Sequence, residues 1–233
     1  MSEIADQMGL APGMRILDLG AGNCAESVFL AKQYGVRVCA LDRCMDVTEC
    51  RERAGANGVA HLVTPLASDV TDLPFSQGSF DRVIAINSYL YFGTDDAYLP
   101  YLCTFLKPGG FIGIGSPCYS RELPPDAPRE LLYSKPDFIE SRLCHSPGWW
   151  RHHFAKTGLV QVLSCAEHPK GREFWLDDLR YSLETWPLAE MSPEFRSMIL
   201  DDLVMMLSDA ERLVTYFTLL VTRWSRALTG TSG

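Results

Sequence analysis

MRILDLGAGNC, residues 14–24, is an apolar run that closes on the pair Gly20 and Gly22. A short apolar stretch followed by glycines predicts a buried strand entering a tight turn. Glycine there lets the backbone turn sharply and lets a ligand lie against main-chain atoms. Residues 27–34 follow with helical spacing (Val28, Leu30, Ala31, Tyr34) and stop at Gly35, a C-terminal signal. Further out, 36–41, 60–65, 80–86 and 111–115 predict more strands, with helices over 47–57 and 94–106 between them. Strands alternating with helices in this way imply βαβ units and a mostly parallel sheet.

The regularity breaks at Ser116. Residues 116–146 hold five prolines and few periodic apolar positions, so an irregular lobe is expected there. Ser146-Pro147 then opens a helix, the serine as N-cap and the proline in the first turn, that runs to Thr157 before Gly158. A sixth strand over 159–166, helices near 174–185 and 193–211, and a last strand over 213–224 follow.

With 233 residues, 47% hydrophobic and 21% charged, the composition is that of a globular domain. The net charge of −8 excludes a protein whose main affinity comes from neutralising phosphates or anionic lipid. That charge is concentrated: residues 173–211 carry ten acids against Arg180 and Arg196, so this window alone nets −8 and the remainder is balanced. Eight cysteines are scattered without a C-x-x-C pair or zinc-site spacing, so no metal site is expected. Neither a secretory signal nor a membrane-length apolar run is visible, which makes a reducing, cytoplasmic compartment the expectation. Nucleic acid and membrane are not expected as partners.

With Ala25, the glycine turn satisfies the G-x-G-x-x-G/A spacing of dinucleotide sites, and Asp42 lies where a ribose-binding acid is expected. Two features count against a pyrophosphate. Asp18 ends the strand, where its charge would face a phosphate; at about 4 Å that repulsion is on the order of 4 kcal/mol at an effective dielectric of about 20. Acids also gather at successive strand ends, Asp42 after the second and Asp69 after the third. Such a pocket suits a cationic, phosphate-free cofactor, and S-adenosylmethionine fits it better than NAD.

The set LDLGAGN (17–23), Asp42, SDVTDLPF (68–75), SFDRVIAINS (79–88) and LKPGG (106–110) resembles class I S-adenosylmethionine-dependent methyltransferases over residues 8–166. YFGTDDAYLPYL (91–102) and HSPGWWRHHFAKTGL (145–159) are similar to a bacterial small-molecule branch of that family. The resemblance implies an α/β fold: a Rossmann-like, doubly wound, seven-stranded sheet with an inserted helical lid, in a single domain over 1–233. Its last strand would be antiparallel, between the fifth and sixth. The resemblance also places S-adenosylmethionine as the cofactor. Asp18, Gly20 and Gly22 would meet its methionine end, and Asp42, with Arg43 beside it, its ribose. Asp69 and the Val70 amide would meet the adenine, and Asn87 stands where a strand-end carbonyl receives the methionine ammonium. Cys24 departs from the pattern, since the family often has a third glycine there. Each residue has a plainer role as well: Asp18 and the glycines in a strand-end turn, Asp42 as a helix cap, Asp69 as a cap of the turn before Leu73-Pro74.

The same resemblance makes 116–146 and 167–212 the two parts of a roof over the active site. Methyl transfer from a sulfonium is an in-line displacement that needs alignment and, for a hydroxyl acceptor, a base. His145, Tyr89 and Tyr91 are the catalytic candidates, His145 first because it ends the first roof segment beside a helix start. His152, His153, Glu167 and His168 are further candidates. Trp149, Trp150, Trp175 and Trp186 either wall the substrate or pack the lid. Met205-Met206, with Phe195, Ile199, Leu203 and Leu207 at helical spacing, read as lid packing or a subunit contact, in a monomer or a homodimer through the lid. Cys118 and Cys165, after strands five and six, are candidates to meet a soft electrophile or a metalloid. The acidic window reads as a solvated helix face, or as acids (Glu173, Asp177, Asp178) that draw a cationic small-molecule substrate. A cofactor-binding protein without transferase activity, or one using the cofactor for non-methyl chemistry, is the alternative function.

Overall fold

The computed structural model describes residues 1–123, 143–185, 192–209 and 214–224. The first helix, α1 (Ser2–Gln7), leads into β1 (Arg15–Leu19), α2 (Ala25–Tyr34), β2 (Arg37–Asp42), α3 (Val47–Ala56) and β3 (Val63–Ala67). Then come β4 (Phe80–Ile86), a 3-10 turn (Tyr89–Tyr91), α4 (Tyr98–Phe105) and β5 (Leu106–Tyr119). Among the described residues beyond these lie α5 (Pro147–Ala155), β6 (Val160–Glu167), α6 (Gly171–Thr185), α7 (Pro193–Ser208) and β7 (Val214–Arg223).

The strands form one seven-stranded sheet in the order β3-β2-β1-β4-β5-β7-β6. β1 pairs in parallel with β2 and β4, β2 with β3, and β4 with β5. The last strand is antiparallel, as two contacts with the β6 stretch show: Trp224 N donates to Leu159 O at 3.2 Å, and His168 N to Tyr216 O at 2.6 Å. The doubly wound sheet with β7 between β5 and β6 is the one implied by the sequence motifs.

Four of the five β1 residues are buried, as befits a strand covered on both faces. α1 supplies part of that cover. Ile4, Ala5 and Met8 are buried in the same apolar cluster as Ile16, Val38 and Ile84, each large side chain stabilising the fold by about 1.5–3 kcal/mol. Gly113 makes the fit possible, because a Cβ there would come within 2.5 Å of Ile4 and 2.6 Å of the Met8 sulfur. The apolar stripe of α1 is too short to stand out in the sequence.

Two strands differ from the sequence reading by more than one residue at an end. β3 begins three residues late, because the turn hydrogen bonds Leu62 N to Val59 O and Val63 N to Val59 O occupy the start of the expected segment. Pro65 then sits inside a strand, which an edge position allows. The β3 groups facing β2 belong to even-numbered residues (Val38 N to Leu62 O, Ser68 N to Asp42 O), so the Pro65 nitrogen lies on the outer side. β5 is longer than 111–115 at both ends. Leu106 pairs with Phe80 and Phe111 with Arg82, so Lys107-Pro108-Gly109-Gly110 loops out between two paired residues. At its far end the strand runs on through Ser116 to Tyr119, into the segment read as irregular.

Contacts divide the chain into two compact units: Met1–Ser116 with Arg151–Cys165 and Thr218–Gly233, and Pro117–Trp150 with Ala166–Phe217. In the first, Tyr89 packs on Phe92, Tyr98 and Phe154, with ring centroids 5.3, 5.9 and 5.6 Å away. In the second, Trp150 is stacked on Phe217 with centroids 5.8 Å apart. The helices foreseen near 174–185 and 193–211 are α6 and α7, and the acids Glu173, Asp177 and Glu184 on α6 are exposed. Asp209 is different: it is buried, pairs with Arg172 and accepts from Val214 N at 2.9 Å. Glu190, Glu211 and Trp186 lie outside the described residues, as do most of the roof segment 116–146 and the side chains of Trp175, Asp178, Phe195, Met205 and Met206.

Candidate cofactor site

The glycine turn is tied down from two sides. Gly20 N and Ala21 N both donate to Leu41 O at the end of β2, at 2.8 and 3.1 Å. Ser88, after β4, donates its hydroxyl to Leu19 O at 2.5 Å. Gly20 is left-handed (φ +71°), and a Cβ on it would lie 2.3 Å from the Ser88 Cβ, so no other residue fits. Gly22 is also left-handed (φ +50°), but nothing stands within 4 Å of where its Cβ would be. A closed contact at the first glycine and open space at the second make a cradle that faces outward from the turn.

Cys24 follows in the same left-handed region (φ +62°) and serves as N-cap of α2 without a side-chain cap bond. A third glycine is therefore the conformationally natural residue here, and the chain carries the strain of a side chain instead. Cys24 is buried, and the neighbouring Cys50 thiol points its hydrogen at Gly22 O, 3.7 Å away.

Asp18 is 2% exposed and accepts a 2.5 Å hydrogen bond from the Ser27 hydroxyl. Burial pushes its carboxyl up to about 7, with Ser27 opposing the rise and Glu26 and Asp42 adding to it. The full negative charge that argued against a pyrophosphate is thus present only above neutrality. The case for a cationic ligand rests more firmly on the other acids.

Asp42, half-buried at the end of β2, takes one backbone N–H on each oxygen: Gly22 N at 3.1 Å and Cys44 N at 2.7 Å. It does not cap the next helix. That role belongs to Asp46, which accepts from Thr48 N at 2.8 Å and Glu49 N at 3.1 Å. Asp69 does hold the turn that follows β3, taking Thr71 N at 2.8 Å and Thr71 Oγ1 at 2.7 Å on one oxygen. Those donors, with the Arg43 charge nearby, keep its carboxyl below the ordinary range. Its other oxygen has no hydrogen-bond partner among the described residues. Val70 is half-buried, with its carbonyl 3.3 Å from the Tyr98 hydroxyl. Asn87 is left-handed (φ +56°) and donates its N–H to Gly115 O at 2.8 Å.

The first unit therefore gathers Asp18, Gly20, Gly22, Asp42, Arg43, Asp69, Val70 and Asn87 at the carboxyl ends of β1 to β4, the edge where open α/β sheets bind ligands. Acidic acceptors beside an open glycine turn, with a single exposed arginine, fit a ligand that offers hydroxyls, an amine and positive charge. Ser27 and Ser88 were not foreseen. Small hydroxyl residues next to a motif carry no signal in a single sequence until the fold shows what they touch.

Of the catalytic candidates, Tyr89 is placed in the core. It is wholly buried among aromatic rings, and burial raises its hydroxyl well above the ordinary range, so it packs rather than presents a base. Tyr91 is exposed and borders a cavity of about 400 Å³ with Thr71, Phe92, Asp95, Tyr98 and Tyr101. His145 belongs to the second unit, where its ring stacks on Trp149 at 3.8 Å and its Nδ1 lies 3.1 Å from the Glu122 carboxylate. His153 is buried and bonds Gly93 O through Nε2 at 2.9 Å, a structural arrangement, while His152 faces solvent. His168 is held by Lys170 N at 3.1 Å and packs on Phe174, and Glu167 is exposed. Cys118 and Cys165 are buried, and burial pushes the Cys165 thiol up to about 11, away from a reactive thiolate. Among the described residues no helix is long and apolar enough to cross a membrane.

Residues 16–110 match a family model described as a methyltransferase domain. A glycine/sarcosine/dimethylglycine N-methyltransferase of Actinopolyspora halophila is 28% identical over 167 residues, 70% of this chain and 28% of that protein. The erythromycin 3''-O-methyltransferase of Saccharopolyspora erythraea is 28% identical over 184 residues, 76% of this chain and 60% of that protein. The chain thus spans less than two thirds of either relative. An S-adenosylmethionine-dependent methyltransferase of Geobacter sulfurreducens, solved with S-adenosyl-L-homocysteine, has the same fold: TM-score 0.70 at 21% identity, over 95% of this chain and 89% of that one. The matched model covers the strands and turns that carry Asp18, Gly20, Gly22, Asp42 and Asp69, in the order the sequence motifs set. Residues 16–110, the part of the chain that carries the glycine turn and the strand-end acids, are thus similar to a methyltransferase domain, and the whole chain shares the fold of a solved S-adenosylmethionine-dependent methyltransferase.

Proposed function

We propose that the chain transfers a methyl group from S-adenosylmethionine to a nucleophilic oxygen, nitrogen, carbon or sulfur of a small molecule. The observation that carries this reading is the Asp42 carboxylate, pinned by two backbone N–H groups at 3.1 and 2.7 Å beside the open face of Gly22. An oxygen held in that way keeps further lone pairs for a vicinal diol. Asp42 would grip the ribose hydroxyls, with Gly20 and Gly22 giving the methionine end access to the main chain. Asp18 would balance positive charge, Asp69 and Val70 would meet the adenine, and Arg43 would border it. Asn87 would turn the chain at the end of β4 toward the methionine ammonium. When bound, the cofactor supplies an electrophilic methyl group.

Residues 117–150 and 166–217, a compact unit of their own, are the part of the chain that we assign to choosing the acceptor. His145 lies there and is the base we assign for a hydroxyl acceptor. The charge of −8 and the exposed acids of α6 support small, neutral or cationic acceptors in the cytoplasm over nucleic acid. The salt dependence of KM tests the acids: a rise in KM with salt assigns them to attraction, and indifference returns them to solubility.

The reaction is tested by incubating the full chain with methyl-labelled S-adenosylmethionine and a small-metabolite extract. Label appearing in a methylated product, with one S-adenosylhomocysteine formed per product, is expected. Cofactor bound without any transfer of label would make the protein a binder and overturn the reading.

A further inference from the structure

Tyr91, Phe92, Tyr98 and Tyr101 wall the cavity in the first unit, and Asp95 and Thr71 also line it. The rings form a continuous run: Phe92 and Tyr98 have centroids 4.9 Å apart, and Tyr98 and Tyr101 5.9 Å. Two hydroxyls fix them in place. Tyr98 donates to Val70 O at 3.3 Å, and the Tyr101 oxygen accepts from Leu73 N at 2.6 Å. Gly93 lets the chain beside Phe92 lie against the buried Tyr89 ring, which a Cβ at that position would overlap. The aromatic wall is thus held by its own packing and hydrogen bonds, as preformed ligand pockets are.

Aromatic faces are the negative side of the ring quadrupole, and they attract a cation that comes within about 6 Å. The charge at the cavity has the same sign. Asp95 spends one oxygen on Ala97 N at 2.8 Å, and its other oxygen has no hydrogen-bond partner among the described residues. No lysine, arginine or histidine stands among the described residues that line the cavity. Lys156 reaches this stretch of chain but is held by Asp96, at 2.6 Å. A single carboxylate is too small a donor set for a metal ion. A primary ammonium brings three N–H donors that ring faces satisfy poorly. The occupant that suits these walls is a cation whose charge is wrapped in methyl groups.

We propose that this cavity is a second ligand site, separate from the cofactor cradle, that takes a free small molecule bearing a quaternary methylammonium group. None of the residues assigned to the cofactor lines it. Its volume of about 400 Å³ lies at the small end of the range of about 300–1,000 Å³ typical of small-molecule sites. Tyr91 and Asp95 are exposed, which opens it to solvent. The two sites meet at Thr71, which lines the cavity and gives both its N–H and its hydroxyl to Asp69. A quaternary nitrogen has no lone pair, so it takes no methyl group, which sets this ligand apart from an acceptor at nitrogen. The site goes beyond the function proposed above and does not depend on it.

Choline is the probe, titrated with the full chain and followed by NMR through its methyl signal, which ring faces shift upfield. Saturable binding is expected, with a Kd of about 1 mM or tighter. Dimethylbutanol, the neutral carbon isostere of choline, should bind at least about tenfold more weakly. Tyr91→Ala and Asp95→Asn should each weaken choline at least about threefold, with amide spectra that match the unmodified chain showing the fold intact. Choline should stay bound under saturating S-adenosylhomocysteine. No saturable binding up to about 20 mM, equal binding of the neutral isostere, or an unchanged affinity in either variant overturns the proposal. Displacement of choline by S-adenosylhomocysteine gives the cavity to the cofactor and overturns the second site, while leaving methyl transfer in place. Retention of the chain on phosphatidylcholine vesicles without binding of free choline moves the cation to a lipid surface and overturns the free ligand. Choline held by a chain that binds no S-adenosylhomocysteine supports the second site and overturns the cofactor reading alone.

Discussion

Ser27 and Asp18 are joined by a 2.5 Å hydrogen bond in the buried floor of the glycine turn, one from the first turn of α2 and the other from β1. The serine supplies the one side-chain donor that offsets burial of the carboxyl. Ser27→Ala should therefore destabilise the protein by about 1.5–3 kcal/mol, the usual range for a hydrogen bond to a charged group, as read by urea unfolding at pH 8. It should also drive the Asp18 carboxyl further up.

The raised Asp18 carboxyl sets a pH dependence. An unfolded aspartate titrates near 3.8 and the folded one at about 7, so the unfolded chain gives up its proton first. Stability from this group is present below pH 4 and falls as pH rises through about 7, by a few kcal/mol on the order of the pKa difference. Comparing unfolding of the unmodified chain and Asp18→Asn from pH 5 to pH 8 isolates the effect: the decline belongs to the aspartate and is absent in the variant. A cationic ligand beside Asp18 favours its ionised form, so affinity for S-adenosylmethionine should rise with pH over the same window and lose that dependence in Asp18→Asn.

The two glycines of the turn should fail in different ways. Gly20→Ala forces a Cβ to within 2.3 Å of Ser88 at a left-handed φ, and should cost about 2–4 kcal/mol of stability from strain and overpacking together. Gly22→Ala meets no neighbour, so it should cost only about 1–2 kcal/mol from backbone strain, yet weaken cofactor binding at least tenfold by filling the cradle, about 1.4 kcal/mol. Thermal unfolding with and without S-adenosylhomocysteine separates the two outcomes. Equal losses of affinity and stability in both variants would remove Gly22 from the site.

Tyr89 and Tyr91 divide in the same manner. Tyr89→Ala empties a wholly buried ring position and should destabilise the protein by about 3–5 kcal/mol. Tyr91→Ala, on an exposed ring, should leave unfolding within about 0.5 kcal/mol of the unmodified chain. A change in acceptor KM in Tyr91→Ala would assign the cavity beside it to substrate.

Much of this site was legible in the residues. An apolar strand, two glycines and an acid at each of three strand ends follow local rules, and the turn brings them together wherever the parallel order is kept. The alternatives for single acids were not decidable from sequence. Asp46, four residues past Asp42, proves to be the helix cap and frees Asp42 for the pocket, whereas Asp69 does hold its turn with one oxygen. Both outcomes depend on where a helix starts to within a residue. Tyr89 misled because a tyrosine just after a strand end looks solvent-facing until the aromatic neighbours from Phe92, Tyr98 and Phe154 close over it. The contact of Glu122 with His145 was invisible for the opposite reason, since the two are more than twenty residues apart.

The central claim is that the Asp42 carboxylate and the open glycine turn hold S-adenosylmethionine. Isothermal titration of the full chain with S-adenosylmethionine and with S-adenosylhomocysteine tests it most directly, with Asp42→Ala alongside. Binding of both is expected, with Asp42→Ala weaker by about 1.5–3 kcal/mol, roughly 10- to 150-fold, from lost charge-assisted hydrogen bonds. No binding of either up to about 1 mM, a free energy weaker than about −4 kcal/mol, or an Asp42→Ala affinity equal to that of the unmodified chain, would contradict the account.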